Sequence, residues 1–255
     1  MGRGEVQTLT AAASSGRKPR PKNGPLRRIL RAALWTLALL IAVPLVLTPL
    51  YAVVDPVSVP MLGRYLTGQR VERQWQPIGQ ISDRLKAAVV MSEDGTFCRH
   101  WGVDLSALRA EVENLLAGKA FRGASTISMQ VARNLFLWND ASFVRKALEV
   151  PLALYLDLVL PKRRIMEIYL NVAEWGPDGE FGAEAGAQAA FGVDAGALSW
   201  QRASLMAVTL PNPLRRRPAS PTSGLKRVAR IVEARAREYG QRAGCVSESG
   251  KLSLD

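Results

Sequence analysis

The chain has 255 residues, 48% of them hydrophobic and 22% charged, with a formal net charge of +12 at pH 7. That length holds one medium domain plus an anchor, or two small domains, and the composition fits neither a disordered chain nor a polytopic membrane protein. The positive balance admits nucleic acid, anionic lipid or a phosphorylated substrate, but no RNP, zinc-finger or helix-turn-helix pattern accompanies it, so no nucleic acid partner is expected.

Residues 1–31 carry eight basic residues (Arg3, Arg17, Lys18, Arg20, Lys22, Arg27, Arg28, Arg31) against the single acid Glu5. Residues 1–25 are also rich in Gly, Ser and Pro and read as a disordered tail. An uncharged run of 23 residues, 32–54, follows. About 20 apolar residues cross the hydrocarbon core as a helix, whereas a cleaved signal has an apolar core of only about 7–15. A retained anchor is therefore expected, with a buried core helix as the bland alternative. Pro44 and Pro49 fall inside the run, and membrane helices tolerate them. The flank Arg27, Arg28 and Arg31 assigns the tail to the cytoplasm and everything after Asp55 to the opposite side. The resulting division is a basic cytoplasmic tail over 1–28, a transmembrane helix over 29–54, an extracytoplasmic domain over 55–240 and a tail over 241–255.

Residues 55–80 read as extended and loop-rich. Beyond them, apolar residues recur at helical spacing over 81–92, 105–117, 125–138, 143–160, 162–175 and 200–210, with a last basic helix over 224–239. Small-residue connections from Gly176 to Gly182 and from Gly192 to Gly196 separate the later helices. Strand-like alternation is scarce, so a mainly α domain is predicted. Pro151 interrupts the pattern of its segment and predicts a kink or break. Cys98 and Cys245 make no metal framework, and whether they pair stays open.

Chemistry-bearing residues gather in a few places. The segment MSEDGTFCRHWGVD packs Glu93, Asp94, His100 and Asp104 around Phe97 and Trp101. Ser82 is placed to cap a helix that ends near Glu93 and projects this carboxylate into a turn, where it can act as a general base. The bland reading is an acidic helix end beside a satisfied core histidine. His100 is the only histidine, and no nucleophile elbow accompanies it. In RGASTISMQVARNLFL, Gly123, Ser125 and Thr126 offer hydroxyls and N–H groups at a helix start, a natural anion site. Gln130, Arg133 and Asn134 follow at turn spacing, and arginine binds phosphate with a planar fork. Standing alone, that segment is an N-capped amphipathic helix. Arg145 and Glu149 share a helix face beside Lys146, although most such pairs are surface pairs worth little. KRRIMEIYLNVAEWG reads mostly as scaffold, with Ile165, Ile168, Tyr169 and Val172 inward. Arg215, Arg216 and Arg217 form another cationic group.

Glu93-Asp94-x-x-Phe97-x-x-His100-x-Gly102-x-Asp104, the Gly-Ala-Ser-Thr-Ile-Ser-Met-Gln run with Arg133-Asn134-Leu135-Phe136, Arg145-Lys146-x-x-Glu149, and Arg164-x-x-x-Glu167-x-Tyr169-Leu170-Asn171 occur in this order. The set resembles the glycosyltransferase domain of family 51, shared by class A penicillin-binding proteins and monofunctional peptidoglycan transglycosylases. The AEWG after Asn171 and the chain length look most like the monofunctional branch.

The resemblance implies a lysozyme-like helical fold with a small lobe that dips partly into the membrane. It implies lipid II and a lipid-linked glycan strand as substrates, joined with inversion into β-1,4-linked glycan as undecaprenyl pyrophosphate departs. Glu93 matches the general base. Glu149 matches a second essential glutamate that positions Arg145 or the leaving-group region. Arg133, Arg145 and Lys146 would meet the pyrophosphate, and Ser125, Thr126, Gln130 and Asn134 would orient sugar and phosphate oxygens. Asp94, Phe97 and His100 would shape the acceptor site. No metal-ligand set is expected, and the one cofactor left open is a divalent cation, magnesium or manganese, at the pyrophosphate. The implied setting is the inner membrane, crossed once, with the catalytic domain in the periplasm and cell-wall synthesis or division proteins as partners. Two positions depart from the family pattern: Met129 stands where a second glutamine is usual, and Arg133 where lysine is usual.

Three other readings compete. A peptidoglycan-cleaving enzyme of the same fold would have little use for the phosphate-binding cations. An inactive scaffold would not need both glutamates. Transpeptidase activity is not expected, because the one Ser-x-x-Lys match, Ser15 to Lys18, falls in the basic tail.

Overall fold

The computed structural model describes residues 25–118, 125–138 and 142–255; the tail before Pro25 and Gly123 lie outside the described residues. The chain divides into two units, one ending at Ala42 and one running from Val43 to Asp255. Helix α1 (Pro25–Leu50) runs through both of its prolines. Its stretch Leu26–Leu50 has the length and apolarity of a membrane span, and Leu34, Trp35 and Leu40 lie exposed along it. An apolar helix this exposed fits a single-pass membrane protein.

A short helix α2 (Val59–Leu66) follows where the sequence predicts a loop. The Ser58 hydroxyl accepts from the Met61 N–H at 3.4 Å, and Pro60 occupies the first turn. Two turns are too few for apolar periodicity to register, so only the cap signals it. Arg164 then ties the chain beyond α1 to the domain, donating to the carbonyls of Tyr51 and Val54 at 2.8 Å each.

The core is built around α3 (Asp83–Glu93), whose Leu85, Ala87, Ala88, Val89 and Val90 are all completely buried. It packs against α9 (Trp200–Ala207), α10 (Ser223–Tyr239) and the 3-10 segment Gly240–Val246. Lys86 is buried too, and its ammonium is satisfied by Asp83 and by the Ile78 carbonyl at 3.0 Å. Ser82 does precede α3, but its hydroxyl donates to the Leu198 carbonyl at 3.3 Å instead of capping the helix. A second layer sets α5 (Ile127–Phe136) against α6 (Phe143–Val159) and α7 (Lys162–Val172). Helix α4 (Leu105–Leu116) precedes α5, and α8 (Ala183–Phe191) precedes α9. Two short strands, β1 (Glu72–Arg73) and β2 (Glu180–Phe181), pair in parallel with Glu72 opposite Glu180.

Pro151 does not break α6, which continues to Val159. Both Pro151 and Ala147, the residue whose carbonyl loses its partner, are exposed. Water can satisfy that carbonyl, so the missing hydrogen bond is tolerated. Cys98 and Cys245, 147 positions apart, are joined as a disulfide with their Cα atoms 5.7 Å apart.

Candidate active site

Glu93 is the last residue of α3, and the chain leaves the helix there through turns in which Phe97 bonds back to Asp94 at 3.0 Å. The Glu93 carboxylate accepts from Gln130 Nε2 and from the Ser92 hydroxyl, each at 3.2 Å. Gln130 is itself held, since its Oε1 accepts the Tyr169 hydroxyl at 3.0 Å. Thus α3, α5 and α7 each supply one member of a relay that ends on Glu93. Burial pushes the Glu93 carboxyl above the ordinary carboxylate range, while the donors Gln130 and Ser92 and the charges of Arg216 and Arg133 pull it back. Tyr169 is wholly buried, which drives its phenol well above the usual tyrosine value and keeps it a donor.

Asp94 faces away from this relay. Its carboxylate takes His100 Nε2 at 3.0 Å and the Ile127 N–H at 2.9 Å, stapling the end of α3 to the start of α5. Phe97 has no exposed surface; His100 meets it edge-on and the Lys162 ammonium lies 4.4 Å from its ring centre. Asp94 and His100 thus bond to each other beside the fully buried Phe97, behind the Glu93 turn. The bland reading of His100 as a core histidine is the one its geometry fits. Thr126 is similarly engaged, capping α5 through the Met129 N–H at 3.2 Å and donating to the Gly102 carbonyl at 2.5 Å. Gly102 must be glycine here, since its φ is +75° and a Cβ would collide with the Ala153 backbone.

A cationic cluster forms on α5 and α6. Glu149, 2% exposed, has one carboxylate oxygen against Arg145 and the other 2.7 Å from Lys146 Nζ. Lys146 also donates to the Ser125 hydroxyl. Burial, with the nearby charges of Arg133 and Arg145, brings the Lys146 ammonium down to about 8. Arg133 is partly buried, its Nε lacks a hydrogen-bond partner, and burial lowers its guanidinium from the usual arginine value. Arg145 and Lys146 pair with Glu149, and the charge of Arg133 acts on Lys146 from α5, so cationic side chains of the kind that bind anions gather here. Each Glu149 oxygen is engaged by a cationic side chain of α6. Among the described residues no three His, Cys, Asp or Glu side chains gather to hold a metal.

Gln130, Arg133, Asn134 and Tyr169 line one cavity of about 240 Å³ together with Phe181 and residues 210–214. Glu174 lines it too and is held by Arg64 at 2.6 Å. A transglycosylase family model matches residues 60–237, which takes in the Glu93 turn, the relay and the cationic cluster. The chain belongs to the transglycosylase family. It is 53% identical over 213 residues to the biosynthetic peptidoglycan transglycosylase of Rhodopseudomonas palustris strain HaA2, covering 83% of this chain and 94% of that one. The namesake proteins of Agrobacterium fabrum and Mesorhizobium japonicum are 50% and 51% identical, covering 86% and 87% of this chain and 98% and 94% of theirs.

The fold brings close to Glu93 two residues to which the sequence reading gave no role. Tyr169 looked like scaffold because it is inward on an amphipathic helix; the missed signal is its hydroxyl, which a buried tyrosine must pair. Arg216 stood out only as part of a charge run, yet its charge acts on Glu93 and its Nη1 is anchored to the Val208 carbonyl at 2.6 Å. Met129, where a glutamine is usual, is completely buried in the core, and Gln130 is the amide turned to Glu93.

Proposed function

We propose that this transglycosylase polymerises lipid II into peptidoglycan glycan strands, with Glu93 as general base and Arg133, Arg145 and Lys146 receiving the leaving pyrophosphate. The supporting observation is the way α5 joins the two groups: its Gln130 holds the half-buried Glu93 carboxylate at 3.2 Å, and Arg133, one turn further along, acts on both Glu93 and Lys146. Glu93 takes the proton from the acceptor sugar's 4-hydroxyl as that oxygen attacks the donor's anomeric carbon. The bond from that carbon to the lipid pyrophosphate breaks on the opposite face, giving a β-1,4 linkage with inversion. Pyrophosphate departs as an anion, so no acid is required and positive charge does the work instead. Glu149 holds Arg145 and Lys146 in place, and Gln130 orients the Glu93 carboxylate. Asn134 and Ser125 lie beside these groups as candidates to orient sugar and phosphate oxygens.

Both substrates carry lipid tails, which agrees with an anchor at α1. The basic flank of α1 supports an inner-membrane placement with the catalytic domain in the periplasm. Exposed Trp101, Leu105 and Leu116 around α4 supply apolar surface for a lobe that meets the bilayer. The deciding experiment is polymerisation of labelled lipid II by detergent-solubilised protein, wild type beside Glu93→Gln. Glycan strands from the wild type alone are expected. Wild-type rates from Glu93→Gln would overturn the base assignment, and no strands from folded wild type would overturn the polymerase.

A further inference from the structure

The family match ends at residue 237, but the folded domain does not. Residues 240–255 turn back over the core and fasten α3 at three places. At its start, Asp83 accepts the Ser253 N–H at 2.6 Å and Arg84 donates to the Asp255 carbonyl. At its middle, Gly240 approaches so closely that a Cβ there would lie 3.0 Å from the Ala87 Cβ. Beyond its end, Cys245 is bonded to Cys98, in the turn that follows Glu93. The segment is closed on itself by Gln241, which exchanges hydrogen bonds with the backbone of Leu252 at 2.9 and 3.1 Å. Its own Ala243, Val246 and Leu252 are buried. It also reaches α7 through Arg163 and Glu248 at 2.6 Å.

We propose that residues 240–255, locked by the Cys98–Cys245 disulfide, are a strap that positions Glu93 for catalysis and makes the rate depend on the redox state of that bond. This rests on the reading of Glu93 as the base. The argument is one of connection. The strap spans α3, which ends in Glu93, and α7, which carries Tyr169; the relay from Tyr169 through Gln130 to Glu93 requires those two helices to stay in register. The disulfide is the only covalent tie between the strap and the Glu93 turn. A dithiol opens it by passing two electrons to the sulfur–sulfur bond, leaving two protein thiols while the dithiol closes to its own disulfide. The turn then keeps its hydrogen bonds through Asp94 but loses its link to the strap, and water gains access to Glu93.

The test compares full-length protein in detergent, oxidised and dithiothreitol-treated, with a Cys98→Ser/Cys245→Ser double variant, all well below the melting temperature. Polymerisation of labelled lipid II is followed across pH to separate kcat from KM. Opening the bond is expected to lower kcat about tenfold with KM little changed, the size of effect a small misplacement of a catalytic group produces. The groups facing Glu93 are Gln130 and Arg133 on α5, Tyr169 on α7, its neighbour Ser92, and Arg216 after α9. Burial opposes its ionised form, so admitting water should move the acid limb of the rate profile to lower pH. The double variant should match reduced wild type and ignore reductant. A lower melting temperature with kcat and acid limb unchanged would reduce the bond to a structural staple and overturn the strap. Should the double variant not fold, oxidised and reduced wild type alone decide the question. Full activity in Glu93→Gln would overturn base and strap together, whereas an inactive Glu93→Gln beside a redox-indifferent wild type overturns the strap alone.

Discussion

Glu93 and Glu149 are both withdrawn from water, and the difference between them lies in what surrounds each. Glu149 touches two cations directly and has no oxygen to spare. Glu93 touches only neutral donors, Gln130 and Ser92, while Arg133 and Arg216 act on it without an ion pair. Neutral donors orient a carboxylate without neutralising it, so burial can raise its proton affinity. Direct cations instead pair with it and are held in place by it. The end of α3 therefore carries a carboxylate held by neutral donors, and α6 carries one held by cations.

The sharpest way to break this contrast is to neutralise each carboxylate without changing its shape. Glu93→Gln should cut lipid II polymerisation by about 10³-fold, within the range general-base removal produces, while the melting temperature barely moves. Glu149→Gln should do the reverse in part. It removes the charge shared by Arg145 and Lys146, and breaking such a buried arrangement costs about 3 kcal/mol of stability, read as a lowered midpoint in denaturant. Equal stability losses in the two variants would erase the distinction drawn here.

A smaller effect sharpens the contrast through pH. Catalysis needs Glu93 deprotonated, so kcat/KM should rise with pH through a value above the ordinary carboxylate range. It needs Lys146 charged, and with its ammonium lowered to about 8, kcat/KM should fall again above that pH. Lys146→Arg keeps the charge at all these pH values, so the basic limb should disappear and the acid limb stay. Persistence of the basic limb in Lys146→Arg would assign it to another group.

Much of this was legible in the sequence, and the misses follow a rule. The long apolar patterns mark α3, α6 and α7 within a few residues because each buries a face over several turns. Helix α2 escaped because it is two turns long, and the unbroken α6 because exposure at Pro151 is not a local property. The base turn and the cationic pair were recognisable as ordered motifs. What each side chain is bonded to was not: close to Glu93 in sequence, Asp94 and His100 pair with each other and Phe97 is fully buried. Pairing of Cys98 with Cys245 depends on folding that brings together positions 147 apart, which no local pattern records.

The finest test concerns Tyr169, the buried end of the relay. Its hydroxyl fixes the Gln130 amide with the oxygen toward Tyr169 and the nitrogen toward Glu93. Tyr169→Phe removes that constraint while keeping the ring in the core. The loss should be that of one hydrogen bond, about 1 kcal/mol, or about fivefold in kcat. The direction in pH matters more than the size. A weakened Gln130 bond stabilises the Glu93 anion less, so the acid limb should move to higher pH, opposite to the shift expected when the Cys98–Cys245 bond is opened and water enters. Opposite shifts would separate two ways of disturbing one carboxylate, lost orientation and lost burial. An acid limb that stays put in Tyr169→Phe would leave Tyr169 with packing alone, and would place the orientation of Glu93 in the turn and its strap.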